Sequence, residues 1–300
     1  MLPVILRKSR VVPMILVAGV TAALAGCAAA PAEDDGTLSV VASTNVYGSL
    51  AELIGGDAVR VTSLIDSASQ DPHSFEASAR DRLELAGADL VIVNGGGYDP
   101  FMDSLLDATA DDELTVIDAF ELSGLAEGEN EHVWYDFAVM SGVAATIAED
   151  LSALDPANES HFLENLATVE DGFEELGASA DALAAEVGGR DAAITEPVPV
   201  YLLESVGLVN VTPDAFSEAI EEGADVAPRD LEAMLELIDS RALLLLAYND
   251  QTTNAQTEQV RTAAESAGVA VVSFTETLPD GLDYLEWMSS NLDSIAAAVG

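Results

Sequence analysis

Residues 89–94 (DLVIVN) form a short apolar run bounded by polar residues, and a helical pattern follows over residues 100–108 (PFMDSLLDA). A short run rich in Val and Ile is typical of a strand buried on both faces of a parallel sheet. The same alternation extends along the chain in both directions. Strands are predicted over residues 38–43, 59–65, 89–94, 114–118, 191–195, 208–212, 242–248 and 269–274. Helices are predicted over residues 47–54, 79–86, 100–108, 135–154, 156–187, 228–240, 253–267 and 283–299.

Strands that alternate with helices predict parallel βαβ units, and one long helical stretch separates two such series. That stretch, residues 156–187, places apolar side chains on roughly one face, and Gly188 and Gly189 end it. The apolar side chains are Leu163, Leu166, Phe173, Leu176 and Leu183. The sequence therefore predicts an α/β fold of two lobes with parallel sheets. The expected division is an N-terminal lobe over residues 37–154, a linking helix over 155–189 and a C-terminal lobe over 190–300.

The charge of the chain excludes several classes of function. The 300 residues include 54 acidic and 10 basic side chains, for a net charge of −44, and three of the basic side chains lie within the first ten residues. Nucleic-acid binding needs clustered cations that displace phosphate counterions, and binding to anionic lipid headgroups needs them as well. Neither is expected. Cys27 is the only cysteine, so a disulfide within one chain is excluded.

The N-terminus is typical of an exported protein. A short basic segment precedes an apolar run over residues 11–25, which is shorter than the roughly 20 residues that a membrane span needs. The run ends in Leu24-Ala25-Gly26-Cys27, which resembles a bacterial lipobox. We expect residues 1–26 to be a signal peptide, Cys27 to carry the lipid, and residues 27–36 to tether the body to the extracytoplasmic face of the cell membrane.

Three histidines are candidates for chemistry. His73 and His132 fall in loops beside the predicted open ends of an α/β lobe, where such sheets bind ligands. His161 lies inside the long predicted helix, where a structural role is expected. No phosphate-binding lysine follows Gly95-Gly96-Gly97, and no nucleophile or metalloprotease motif is present in the sequence.

Four ordered segments resemble the zinc- and manganese-binding receptors of bacterial ABC importers, the cluster A-I substrate-binding proteins. DPHSFE with ARDRLELAGADLVIVNGGG is similar to their first signature, and HVWYD to their second histidine motif. DAAITEPVPVYLLESVGL is similar to the third, and GVAVVSFTETLPDGLDYLEWMSSNLDSI to the C-terminal one. These segments are residues 71–76, 79–97, 132–136, 191–208 and 268–295. The resemblance implies two (β/α) lobes joined by a backbone helix, with a metal site in the cleft between them.

The resemblance also implies four metal ligands. His73 and His132 match the first and second ligand positions, and Glu196 and Glu276 match the third and fourth. Asp250 and Asp280 are nearby carboxylates that compete with Glu276 for the fourth position.

Imidazole and carboxylate together suit first-row divalent ions, so the expected cargo is one manganese or zinc ion. The acidic loop of residues 126–131 (AEGENE) has no histidine, and we favour manganese, although zinc should also bind tightly. Because imidazole must be neutral to bind metal and its reference pKa is about 6.5, affinity should fall below about pH 6.

The leading hypothesis is a lipid-anchored, monomeric receptor that passes this ion to the permease of a metal ABC importer and is not an enzyme. Three alternatives remain open at this point: a secreted metal-dependent hydrolase, an adhesive surface lipoprotein, and a receptor for a chelated or organic ligand. A hydrolase would need an open metal position and a general base, which a closed set of four ligands does not offer.

Overall fold

Four parallel strands form the first sheet of the computed structural model, which describes residues 36–70, 72–109 and 113–299. The sheet has the order β2-β1-β3-β4. Its strands are β1 Leu38–Thr44, β2 Val59–Ile65, β3 Leu90–Val93 and β4 Thr115–Asp118. β3 is buried along its whole length, as its uninterrupted apolar sequence predicts.

Five helices accompany this sheet: α1 Asn45–Gly55, α2 Ala79–Leu85, α3 Pro100–Thr109, α4 Ala119–Ser123 and α5 Phe137–Leu154. Local sequence explains several of their starts. Ser78 and Asp81 form a capping box at α2, and Asp136 accepts two backbone hydrogen bonds at the start of α5. α5 is long and apolar enough to cross a membrane by length and composition alone. One side of it packs into the core through Met140, Val143, Ala144, Ile147, Ala148 and Leu151.

The long helix α6 Glu159–Val187 connects the two halves of the chain and begins three residues after the predicted start. Its buried side chains recur every three or four positions, which is the spacing of one helix face. They are Phe162, Val169, Phe173, Leu176, Ala180, Leu183 and Val187. Leu163 was expected on this face but is 49% exposed, because it lies one position, about 100° of helix rotation, from Phe162.

The second sheet repeats the topology of the first, with all strands parallel and the order β6-β5-β7-β8. Its strands are β5 Asp191–Ile194, β6 Val209–Asn210, β7 Leu245–Asn249 and β8 Ala270–Phe274. Its helices are α7 Val200–Ser205, α8 Asp214–Glu221, α9 Pro228–Asp239, α10 Ala255–Ala267 and α11 Tyr284–Val299. Two sheets of parallel strands confirm the predicted fold class. Helices α4, α7 and α8 are absent from the pattern-based prediction.

The two sheets share a continuous apolar core that extends from Val40 in β1 to Ile295 in α11. Polar contacts also link the two halves of the chain. The hydroxyl of Tyr284 donates to the carbonyl of Trp134 over 2.7 Å, and the backbone N–H of Tyr284 donates to Ser49 Oγ over 3.0 Å. Gly36–Gly300 forms one compact unit, so the division into domains at residues 154 and 190 stays a prediction. The predicted signal peptide, Cys27 and nearly all of the predicted tether lie outside the described residues.

Asn45 joins the start of α1 to the segment after β8. Its Nδ2 donates to the carbonyl of Leu278, and its Oδ1 accepts from the N–H of Leu278, each over 2.9 Å. We expect Asn45→Ala to lower the free energy of unfolding by about 1–3 kcal/mol, because it leaves two half-buried backbone groups without these partners. Asn45→Asp keeps the acceptor and should cost less. Urea denaturation followed by tryptophan fluorescence measures both.

Glu52→Ala is a matched control for these variants, since Glu52 is exposed on the same helix. It should change stability by no more than about 0.5 kcal/mol. If Asn45→Ala denatures at the same urea concentration as Glu52→Ala, the two hydrogen bonds between Asn45 and Leu278 do not stabilise the protein.

Candidate metal centre

Three of the four predicted ligands come together where the strands of the two sheets end. His73 lies in a single 3-10 turn (Pro72–Ser74) after β2, and His132 directly precedes another (Val133–Tyr135). Glu276 lies two residues beyond β8. One donor atom of each lies within 4.8 Å of the others, which is close enough to hold one metal ion. His132 and Glu276 are buried, and the side chain of His73 is 32% exposed.

Asn130 fixes the orientation of the His132 ring. Asn130 Nδ2 donates to the carbonyl of Pro197 over 3.0 Å, so its Oδ1 faces His132 Nδ1 at 2.6 Å. His132 Nδ1 therefore carries the proton, and the lone pair is on Nε2. Nε2 is buried and has no hydrogen-bond partner in the described part of the chain. A lone pair in this position is available to bind a metal ion.

The two imidazoles differ in their charge. Burial lowers the pKa of His132 to about 4, so this ring is neutral at pH 7. Burial also acts to lower the pKa of His73, but a hydrogen bond and attraction from Glu221, with a contribution from Glu276, outweigh it and raise that pKa to about 9. His73 is therefore protonated at neutral pH, and a bound metal ion has to displace that proton.

Three groups hold the Glu276 side chain and backbone in place. Asn249 Nδ2 donates to its Oε1 over 2.8 Å, and the Tyr98 hydroxyl donates to its Oε2 over 3.3 Å. Its backbone N–H donates to Gln251 Oε1 over 2.7 Å. Tyr98 also packs edge-on against the ring of His73, with ring centroids 5.1 Å apart. The carboxylate and one imidazole are thus positioned by the same tyrosine.

Glu196, the fourth predicted ligand, lies beside this group and does not join it. It follows β5 and is buried, and its Oε2 accepts hydrogen bonds from Asn249 Nδ2 over 2.5 Å and from the Thr252 hydroxyl. Burial raises the pKa of Glu196 to about 8 in spite of these hydrogen bonds. Asn249 therefore separates Glu196 from Glu276 by donating to both.

The competing carboxylates Asp250 and Asp280 are both exposed. Neither belongs to a group of potential metal ligands within the described ranges. The structure thus places Glu276 at the cluster and leaves these two residues outside it.

Sequence reasoning missed two carboxylates in the cleft, Glu221 and Glu131. Glu221 Oε1 lies 3.5 Å from His73 Nε2 and 3.5 Å from His132 Nε2. Glu221 and Glu131 also form a second group of donors with His73, again within 4.8 Å of one another. The available signal for Glu221 was weak: Phe216 and Ile220 make a single i, i+4 apolar pair before it.

Two similar parallel sheets, with a cluster of imidazole and carboxylate donors at their adjoining carboxyl edges, define a two-lobed α/β binding protein with a candidate divalent-metal site. The chain belongs to the family described as zinc-uptake complex component A, periplasmic, whose model matches residues 40–298. This match confirms the family resemblance given by the four sequence motifs.

Relatives and solved structures agree with this assignment. The manganese ABC transporter substrate-binding lipoprotein PsaA of Streptococcus pneumoniae serotype 4 is 23% identical over 281 residues, covering 86% of this chain and 88% of that protein. The manganese-binding lipoprotein MntA of Halalkalibacterium halodurans is 29% identical over 164 residues, covering 49% of this chain and 53% of that one. The periplasmic zinc-binding protein TroA from Treponema pallidum has the same fold, with a TM-score of 0.75 at 21% identity and coverage of 88% and 100%.

The pKa of His73 sets an expected pH dependence of metal binding. Because His73 is protonated below about pH 9, binding at lower pH must release a proton from it. The apparent affinity for Zn(II) should therefore rise at least about tenfold per pH unit between pH 6 and pH 8, and more steeply if a second ligand also loses a proton on binding. From the reference pKa of imidazole, the sequence alone predicts a loss of affinity only below about pH 6. The structure places the pH-dependent range higher. Competition with a chromophoric chelator at constant ionic strength measures the affinity.

His161→Ala is a suitable control, since His161 lies exposed on α6 and outside both donor groups. That variant should show the same slope as the unaltered protein. An apparent affinity that stays constant from pH 6 to pH 8 would contradict the assignment of a displaced proton to His73.

Proposed function

We propose that this chain is an extracytoplasmic receptor that binds one manganese or zinc ion and delivers it to the permease of an ABC importer. The observation that carries the proposal is the convergence of His73 and His132 from the first half of the chain with Glu276 from the second half. Relatives named as metal-binding or ABC-transporter substrate-binding lipoproteins support the same role. Those names denote receptors rather than enzymes.

The location of the donors explains how binding would be signalled. His73 lies after strand β2 and His132 lies between helices α4 and α5, both in the first half of the chain, and Glu276 follows strand β8 in the second half. An ion bound to all three would therefore tie together segments from both halves of the chain. A permease that recognises both surfaces in this arrangement could distinguish the loaded receptor from the free one.

Glu196 completes the proposed ligand set after a local change. Its carboxyl group is hydrogen-bonded to Asn249 and Thr252, and its raised pKa keeps it protonated at neutral pH. A divalent cation nearby would favour the ionised form. We therefore place His73, His132, Glu196 and Glu276 around the cargo ion, with Glu196 as the ligand that has to lose a proton and turn.

The N-terminus would keep this receptor at the membrane. In the proposal, Cys27 becomes the lipidated first residue after cleavage behind Gly26, and residues 28–36 tether a monomeric body to the extracytoplasmic face. The lipobox-like sequence Leu24-Ala25-Gly26-Cys27 supports this, and so does the word lipoprotein in the names of the relatives. A tethered receptor stays close to its permease, which raises its effective concentration there.

Native mass spectrometry of the purified protein tests the cargo. We expect one divalent ion per chain, and we expect His73→Ala and Glu276→Ala each to lose it, because each removes one donor from a site that spans the cleft. His161→Ala should retain the ion. Titration with Mn(II) and Zn(II) in competition then measures the preference between the two.

The proposal makes two outcomes decisive. A chain that binds neither ion under conditions in which it is folded by circular dichroism is not a metal receptor. A chain that binds an ion equally well after His73→Ala and Glu276→Ala has its metal site elsewhere.

The lipid anchor has its own test. Cys27→Ser removes the thiol that would carry the acyl groups, so it should abolish incorporation of labelled fatty acid and shift the protein from the detergent phase to the aqueous phase in Triton X-114 partitioning. Ser43→Ala, a buried change in the body, serves as a control that leaves Cys27 intact. Continued fatty-acid labelling of Cys27→Ser would show that the anchor is not at Cys27.

A further inference from the structure

We propose that Glu221, at the end of helix α8, is an additional oxygen ligand of the same metal ion and the residue that shifts the site toward manganese. This inference rests on the proposed function and names a ligand that the family motifs do not supply. The four motif positions are His73, His132, Glu196 and Glu276, and none of the quoted motifs reaches residue 221.

The distances around Glu221 are those of neighbouring ligands. Its Oε1 lies 3.5 Å from His73 Nε2 and 3.5 Å from His132 Nε2. Ligands bound at 2.0–2.2 Å to a tetrahedral ion are separated by about 3.4 Å, and those at adjacent octahedral positions by about 3.0 Å. One oxygen at equal distance from two imidazole nitrogens therefore fits a corner of a coordination shell that both rings share.

A second observation points to a cation at the same place. His132 Nε2 is fully buried, and no described group hydrogen-bonds to it. Its Nδ1 already donates to Asn130, so Nε2 offers only a lone pair toward the cleft. The lone pair of His132 Nε2 and the Glu221 carboxylate oxygen 3.5 Å from it are both electron donors, and a cation beside them could bind to both.

Helix α8 holds Glu221 in place and adds an electrostatic argument. Phe216 and Ile220 are buried, which fixes the helix against the body of the protein. Glu221 is its last residue, where the helix dipole is negative and disfavours an anion. Glu218 and Glu222 add like charge in the same turn. A divalent cation at the Glu221 carboxylate would offset this repulsion.

Glu221 also gives the ion a route from solvent. It lines a cavity of about 360 Å³ together with Glu131, Glu218 and Glu222, and Glu131 belongs with it to the second group of donors around His73. The same carboxylate therefore faces both the cavity and the two imidazoles. An arriving cation would meet oxygen donors first and imidazoles afterwards.

The consequence for selectivity follows from coordination number. Zinc in proteins favours four ligands, with nitrogen and sulfur prominent among them, whereas manganese accepts more oxygen donors and higher coordination. Adding Glu221 to two imidazoles and the two motif carboxylates gives five ligating side chains and a third negative charge. Such a site is expected to discriminate against zinc more strongly than one limited to the four motif positions.

Glu221→Gln tests the inference, with Glu236→Gln as the control, because Glu236 is exposed on the neighbouring helix α9, lies outside the cavity and both donor groups, and loses the same charge. Chelator competition should show that Glu221→Gln lowers Mn(II) affinity by about tenfold or more, with a smaller loss for Zn(II). Glu236→Gln should stay close to the unaltered protein. Co(II) substituted into the site supplies a spectroscopic readout, since its visible absorption strengthens when the coordination number falls to four.

Each result decides a different point. If the unaltered protein binds no Mn(II), Zn(II) or Co(II), the proposed function fails. If it binds them, and Glu221→Gln leaves both the affinities and the Co(II) spectrum unchanged, the function stands and this inference fails. A weaker affinity with an unchanged Co(II) spectrum would mean that Glu221 attracts the ion from a distance and does not coordinate it. That result would also overturn the inference. Glu221→Asp covers the case in which Glu221→Gln does not fold: it keeps the charge but shortens the reach, so its Co(II) spectrum should still change.

Discussion

One amide group lies between the two buried carboxyl groups of the site, and their arrangement depends on it. Asn249 Nδ2 donates to Glu196 Oε2 and to Glu276 Oε1. Two ionised carboxylates about 4–5 Å apart would repel by roughly 3–4 kcal/mol at an effective dielectric near 20. The raised pKa of Glu196 avoids this, because a proton replaces one of the charges. Protons on Glu196 and His73 thus offset the negative charge of the carboxylates, and a bound cation would take over this role.

Parallel topology makes this arrangement possible. Asn249 ends β7, and Glu196 and Glu276 follow the two strands that flank β7 in the sheet. Neighbouring parallel strands end at the same edge, so residues distant in sequence meet there. This much could be predicted from the sequence: the apolar runs identified all eight strands to within a few residues, and they placed both glutamates just after strands. Loop position singled out His73 and His132, and the family resemblance then assigned all four residues as metal ligands.

Local patterns could not predict the contacts that decide the role of each side chain. Glu196 bonds to Asn249 and Thr252, and no periodicity relates those residues to it. Glu221 lies on an eight-residue helix with a single apolar i, i+4 pair, too short for a pattern to identify. Leu163 was misplaced for a related reason: the apolar spacing of α6 allows two adjacent faces, and packing against helices α1, α5 and α11 selects the one with Phe162.

The overall charge of −44 does not explain selectivity between ions. Exposed charges are screened over about 8 Å at physiological ionic strength, and manganese and zinc carry the same charge. A negative surface therefore attracts both equally and can only raise the rate of encounter. Discrimination has to come from the donors themselves, through the ratio of imidazole to carboxylate and the number of ligands that reach the ion. In this protein that number depends on tertiary packing, because one candidate oxygen is positioned by the burial of Phe216 and Ile220 rather than by a ligand motif.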